Sequence, residues 1–112
     1  MIKKGLYQGL ILMGLMLTAR LGRLDYNGHT ETWYNLPMHN ITERADALYG
    51  LSDVYAVRDD GVKTYNGFVI LATDWHVHPF GSVIETSRGT GIVLDHIGNI
   101  QNRNTVDIAT EW

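Results

Sequence analysis

From Leu51 onward the chain is written in short β-prone runs, and their spacing constrains the fold more than any other feature. VYAV at 54–57, FVILAT at 68–73, SVIET at 82–86, GIVLD at 91–95 and TVDIAT at 105–110 are each four to six residues long. Between them stand Asp59-Asp60-Gly61, Asn66-Gly67, Pro79-Phe80-Gly81, Arg88-Gly89-Thr90-Gly91 and Gly98-Asn99. These are residues that fix φ or tolerate positive φ, and so mark turns. Strands recurring about every twelve residues predict a small, mainly β barrel or sandwich rather than alternating βαβ units. FVILA is apolar throughout, as in a strand covered on both faces. Gly89-Thr90-Gly91 is no phosphate loop, because a strand-like GIVLD follows it and neither a lysine nor a helix start does.

Upstream of the strands one short helix is expected over residues 41–49. Asn40 with Glu43 three residues later resembles a capping box, Ala45, Ala47 and Leu48 favour helix, and Gly50 can end it. Residues 25–38 are polar and aromatic, with Tyr26, Trp33 and Tyr34, and read as a linker leading into a docking strand.

The amino terminus has a different texture. Lys3 and Lys4 precede an uncharged run over residues 5–19, after which come Arg20 and Arg23. Fifteen helical residues rise only about 22 Å, short of a hydrocarbon core of roughly 30 Å. The outline is that of a secretory signal, although Leu17-Thr18-Ala19 is a poor cleavage site. An uncleaved membrane anchor and a buried or oligomerising helix are the alternatives. The expected organisation is therefore a signal or anchor at 1–19, a lead-in at 20–39 and the β domain at 40–112.

The net charge of −3 offers no basic footprint for a nucleic-acid backbone, so no nucleic-acid partner is expected. Removal of residues 1–19 takes two lysines away and leaves −5. The absence of cysteine excludes disulfides, thiolate zinc sites and cysteine nucleophiles.

Three aspartates lie at or inside apolar strands: Asp74 after FVILAT, Asp95 after GIVL, and Asp107 between Val106 and Ile108. An acid in such a strand costs free energy unless it is partnered or used. Strands this short bring their ends together, and carboxylates close to one another cannot all ionise readily. One that keeps its proton near neutrality can give it to a leaving oxygen.

Gly67-Phe68-Val69-Ile70-Leu71-Ala72-Thr73-Asp74, Pro79-Phe80-Gly81-Ser82, Gly91-Ile92-Val93-Leu94-Asp95 and Asn104-Thr105-Val106-Asp107 together resemble the three-aspartate domain. That domain occurs in stationary-phase survival proteins and in the membrane-bound lytic transglycosylase A family. The match spans about residues 54–112, with intervals of 21 and 12 residues between the acids. The resemblance implies a six-stranded double-psi β-barrel preceded by the short helix and the N-terminal hydrophobic segment. It also implies a peptidoglycan lytic transglycosylase that cleaves the bond between N-acetylmuramic acid and N-acetylglucosamine and leaves a 1,6-anhydro product.

Asp107 then takes the acid/base role, with Asp95 and Asp74 in support. Lys63, Thr86, Ser87, Thr90 and His96 become candidates for contact with the glycan strand. No cofactor is implied, and the protein would be exported, from a bacterium or a phage, meeting a membrane only if residues 1–19 stay as an anchor. One departure stands out: the family commonly has Asp-Thr-Gly-Gly where this chain has Asp95-His96-Ile97-Gly98.

Two rival readings remain open. One is a non-catalytic wall-binding or virion-structural module on the same barrel. The other is metal-dependent wall hydrolysis, in which His76 and His78, two apart on an extended segment, join Asp74, Asp95 and His96.

Overall fold

A computed structural model describes residues 22–98 and 103–111; the segment read as an export signal or anchor lies outside them. The described chain is mainly β, with one helix and a single mixed sheet. The strands are β1 (Leu24–Tyr26), β2 (His29–Tyr34), β3 (Tyr55–Val57), β4 (Lys63–Tyr65), β5 (Phe68–Thr73), β6 (Val83–Thr86), β7 (Gly89–His96) and β8 (Thr105–Ala109), and the helix is α1 (His39–Tyr49). All five runs expected as strands form them, FVILAT to the residue.

The sheet is open and counts eight strands, where six in a closed barrel were expected. Two strands, β1 and β2, come from the stretch read as a lead-in. Asn27 and Gly28 both take positive φ, 49° and 89°, as do Asn66 and Gly67 at 51° and 86°. Both dipeptides therefore make tight hairpins, β1 to β2 and β4 to β5. β2 then pairs in parallel with β8 along Thr30–Tyr34, so the sheet begins well before residue 40.

β5 organises the rest. It pairs in parallel with β7 on one side; on the other it meets β4 at its start and β8 at its end, both antiparallel. A strand flanked in this way is paired along both edges, and Val69 through Thr73 are all buried. One face packs Met38, Ala45, Tyr65, Ile70, Ile92, Leu94 and Ala109 beneath α1. The other packs Val62, Val69, Leu71, Val93, Val106 and Ile108, with Trp33 and Trp75 against them.

The helix starts one residue before Asn40, with Met38 at the N-cap and no side-chain cap bond, so the capping box does not form. Its other end is as expected: Gly50 at φ 68° caps it in the left-handed conformation, its N–H donating to Asp46.

Gly91 allows β7 to lie close to β5. A Cβ there would sit 2.6 Å from Leu71 Cδ1 and 3.0 Å from the Val69 carbonyl. Because Leu71 is itself fully buried, Gly91→Ala should cost about 1–3 kcal/mol, read as a lower urea midpoint. An unchanged midpoint would show that the two strands have slack.

Candidate acidic site

Four residues form a row across β2, β8, β5 and β7. Thr32 pairs with Asp107, Asp107 with Ala72, and Ala72 with Asp95. Directly opposed residues on neighbouring strands share a face, so both carboxylates stand on the face that carries Ile70 and Ala109, separated by an alanine methyl. Two strand spacings put their Cα atoms about 10 Å apart.

Asp95 reaches this face through a bulge. Leu71 pairs with Val93 but Ala72 pairs with Asp95, which makes Leu94 an extra residue in β7. In a regular strand Asp95 would share the face of Val93; the inserted residue turns it to the other side. The bulge is held from two directions. Arg44 of α1 donates from Nη2 to the Leu94 carbonyl at 3.0 Å, and the Trp75 indole N–H donates to the Asp95 carbonyl at 2.8 Å.

The two acids have different surroundings. Asp95 accepts the Tyr34 hydroxyl on Oδ2 at 3.0 Å and the His96 N–H on Oδ1 at 2.8 Å. Asp107 accepts the Thr32 hydroxyl on Oδ1 at 2.9 Å. Burial pushes the Asp107 carboxyl up to about 6; the Thr32 bond opposes this and the charge of Asp95 adds to it. Tyr34 is driven upward by burial and by Asp95, and stays a hydroxyl donor. Asp107 is thus a carboxylic acid that keeps its proton into the mildly acidic range beside a negative neighbour.

Asp74 is not part of this pair. Its carboxylate is paired with Arg103 and accepts the His76 N–H at 2.9 Å. The Arg103 bond and then the His76 N–H hold it well below the usual carboxylate range. It therefore secures the turn after β5. His76 Nδ1 lies 3.2 Å from Asp74, while His78 Nε2 meets Asn104 Oδ1 at 2.7 Å. The two histidines go to different partners, and among the described residues no three His, Asp or Glu side chains gather as metal ligands.

The residues expected on the glycan side divide. His96 is exposed beside Asp95, its ring edge-on to Trp75 at 5.1 Å. Thr86, Ser87 and Thr90 belong to the β6–β7 hairpin, at the far end of β7 from Asp95. The intervening strand from Gly89 to Asp95 places them about 20 Å away. Their side chains are used locally: Thr86 donates to the Gly89 carbonyl, Thr90 to Glu85 and Ser87 to Glu31. Lys63, expected on the groove or in an exposed turn, is buried, with Nζ donating to Asn35 Oδ1 at 2.7 Å and the Leu36 carbonyl at 2.8 Å. An ammonium in an interior needs such acceptors, and here they tie the chain between β2 and α1 to β4.

Thr32 is a site residue that sequence reasoning missed, and Tyr34 was read there as an aromatic of the lead-in. The Asn27-Gly28 turn followed by alternating residues was the available cue, since it predicts a hairpin that sends Thr30, Thr32 and Tyr34 to one face.

Compared with protein-family models, curated proteins and solved structures, the chain matches none of them.

Proposed function

We propose that the protein is an exported peptidoglycan lytic transglycosylase whose open mixed sheet is a variant of the double-psi β-barrel, with Asp107 as its acid/base. The observation that carries this reading is Asp107 itself, a half-buried carboxyl raised to about 6 and facing Asp95 across Ala72. Its support from sequence is the three-aspartate pattern, in which the last acid falls on this residue.

The chemistry needs one proton donor that becomes a base. Asp107 gives its proton to the glycosidic oxygen, the C1–O bond breaks, and N-acetylglucosamine leaves with a free 4-hydroxyl. The negative charge of Asp95 stabilises the oxocarbenium character at C1 of the muramic acid. The Asp107 carboxylate then accepts the proton of the 6-hydroxyl as O6 bonds to C1, which closes the anhydro ring and restores the acid. With an internal nucleophile, no second carboxylate has to activate water. Asp74 supports the site by holding the turn after β5, and His96 is the residue placed to meet the sugar next to Asp95.

Turnover of insoluble peptidoglycan should follow the Asp107 proton. The rate should fall as pH rises through about 6, where the acid form is lost. It should be indifferent to chelators. A rate flat from about pH 5 to 8, or one lost on chelation, would refute the role of Asp107 or replace it with metal chemistry.

A further inference from the structure

We propose that Arg44 and the rings of Tyr49, Phe80, Trp75 and His96 form the subsite that seats the muramic acid unit of the strand, with the guanidinium taking a carboxylate carried on its lactyl side chain. The inference rests on the reading of Asp95 and Asp107 as a glycan-cleaving pair, and it supplies what that pair lacks. The protein is acidic, with a net charge of −3. The proposed substrate is anionic too, so the two repel at the acid pair unless a cation stands close by. Arg103 is taken up by Asp74, and Lys63 is buried on Asn35 and the Leu36 carbonyl. Arg44 is exposed and lies at the bulge itself, where Nη2 reaches the Leu94 carbonyl one residue before Asp95. A guanidinium carries five N–H donors, so this bond leaves others for a carboxylate.

Four rings from four parts of the chain form a row that ends beside Asp95. Tyr49 closes α1 and lies nearly parallel to Phe80, at 11° and with 6.2 Å between centroids. Phe80 meets Trp75 edge-on at 5.7 Å, and Trp75 meets His96 edge-on at 5.1 Å. The Trp75 N–H bond to the Asp95 carbonyl ties the row to the acid. Gly81, at φ 88°, leaves room for the Tyr49 hydroxyl, which would stand 3.1 Å from a Cβ there. The Arg44 guanidinium carbon stands 6.0 Å from the Phe80 centroid. Tyr49 and His96 are exposed, while Phe80 and Trp75 are half-buried. A row of rings open to water at both ends, with a cation along its side, fits a partner that has an apolar face and an anionic edge. A pyranose offers such a face in its axial C–H bonds, and muramic acid is the unit of the strand that adds the carboxylate. Asp95 serves C1 of this same unit in the proposed reaction, which puts its ring and its carboxylate where the row and the cation stand.

The test is titration of the full nitrogen-15-labelled chain with three soluble sugars that hold no glycosidic bond to cleave: N-acetylglucosamine, N-acetylmuramic acid and N-acetylmuramoyl-L-alanyl-D-glutamate. The acidic sugars should shift the Trp75 indole N–H and the Arg44 Nε–H. They should bind at least about threefold tighter than N-acetylglucosamine at low salt, an advantage that shrinks at about 0.5 M salt. N-acetylmuramic acid as the tighter of the two identifies the free lactyl carboxylate as the group recognised; the muramoyl peptide as the tighter identifies an acid of the stem peptide. Equal affinity for all three sugars, or shifts confined to residues away from Trp75 and Arg44, would overturn the proposal.

Arg44→Gln should lose the preference for the acidic sugars, since glutamine can still donate to the Leu94 carbonyl but carries no charge. A variant that keeps the preference would overturn the role of Arg44. If the variant does not fold, the native protein still decides: an advantage undiminished at high salt is no charge contact and equally overturns the proposal. None of these readouts requires turnover. A chain that shows the preference yet releases no anhydro product refutes the transglycosylase reading and leaves the subsite standing, while one that releases the product without the preference refutes the subsite alone.

Discussion

Asp107→Asn should abolish the release of anhydro-muropeptides while the protein stays folded. A positioned general acid contributes about 10²–10⁴ in rate, and in the proposed mechanism this residue serves as acid and then as base, so a loss of at least about 10³ is expected. Asparagine matches aspartate in shape, and its carbonyl oxygen can still accept the Thr32 hydroxyl. It also removes an ionisable group from a place that resists charge. Because the folded-state value of Asp107 lies above its ordinary 3.8, the folded protein holds that proton more tightly than the unfolded chain does. The native protein therefore loses stability as pH rises from about 4 to 6, and the cost is fully present above that range. Asp107→Asn should be free of this component and at neutral pH at least as stable as the native protein. Measured activity near the native level would refute the assignment, and a collapse of the thermal transition would show that the carboxyl has a structural role.

The largest effect on stability is expected at Glu31, on the opposite face of β2. Its side chain is fully buried. Oε2 lies 2.8 Å from His29 Nε2 and accepts the Ser87 N–H at 2.9 Å, and Oε1 accepts the Ser87 hydroxyl. One carboxylate thus fastens the tip of the β6–β7 hairpin to β2. Glu31→Ala would leave a buried imidazole and a backbone N–H without their acceptor. Losing one member of such a buried group costs about 3–5 kcal/mol. Urea unfolding at fixed pH should show that loss, with Glu31→Gln much milder because it retains an acceptor oxygen. A change below about 0.5 kcal/mol for Glu31→Ala would mean that water replaces the carboxylate.

The contrast between the two acids shows what the sequence could reveal. Asp107 was legible because a charge between Val106 and Ile108, inside a β-prone run, has no bland explanation in a buried strand. Glu31 was hidden because HTETWY lacks an apolar run, and its strand character comes from tertiary pairing with β8 rather than from composition. The placement of Asp95 was unreadable for a different reason. Alternation along GIVLD puts Asp95 with Val93, and only the extra residue at Leu94 brings it to the Asp107 face. A bulge depends on two paired strands and leaves no mark in one of them. Asp74 illustrates the converse: its position after FVILAT matched a pattern, but its partners Arg103 and the His76 N–H make it a turn anchor. Lys63 and Ser87 likewise had polar character that suggested a ligand, and the fold uses both for its own connections.

In the proposed reaction Asp107 drives an intramolecular displacement on a peptidoglycan strand. Its most direct test is mass analysis of the fragments released when the purified protein is incubated with peptidoglycan. The expected fragments end in 1,6-anhydro-muramic acid, each lighter by one water than the corresponding hydrolysis product. Hydrated reducing ends would contradict it by showing that water is the nucleophile, and the absence of any fragment would contradict the proposed activity altogether.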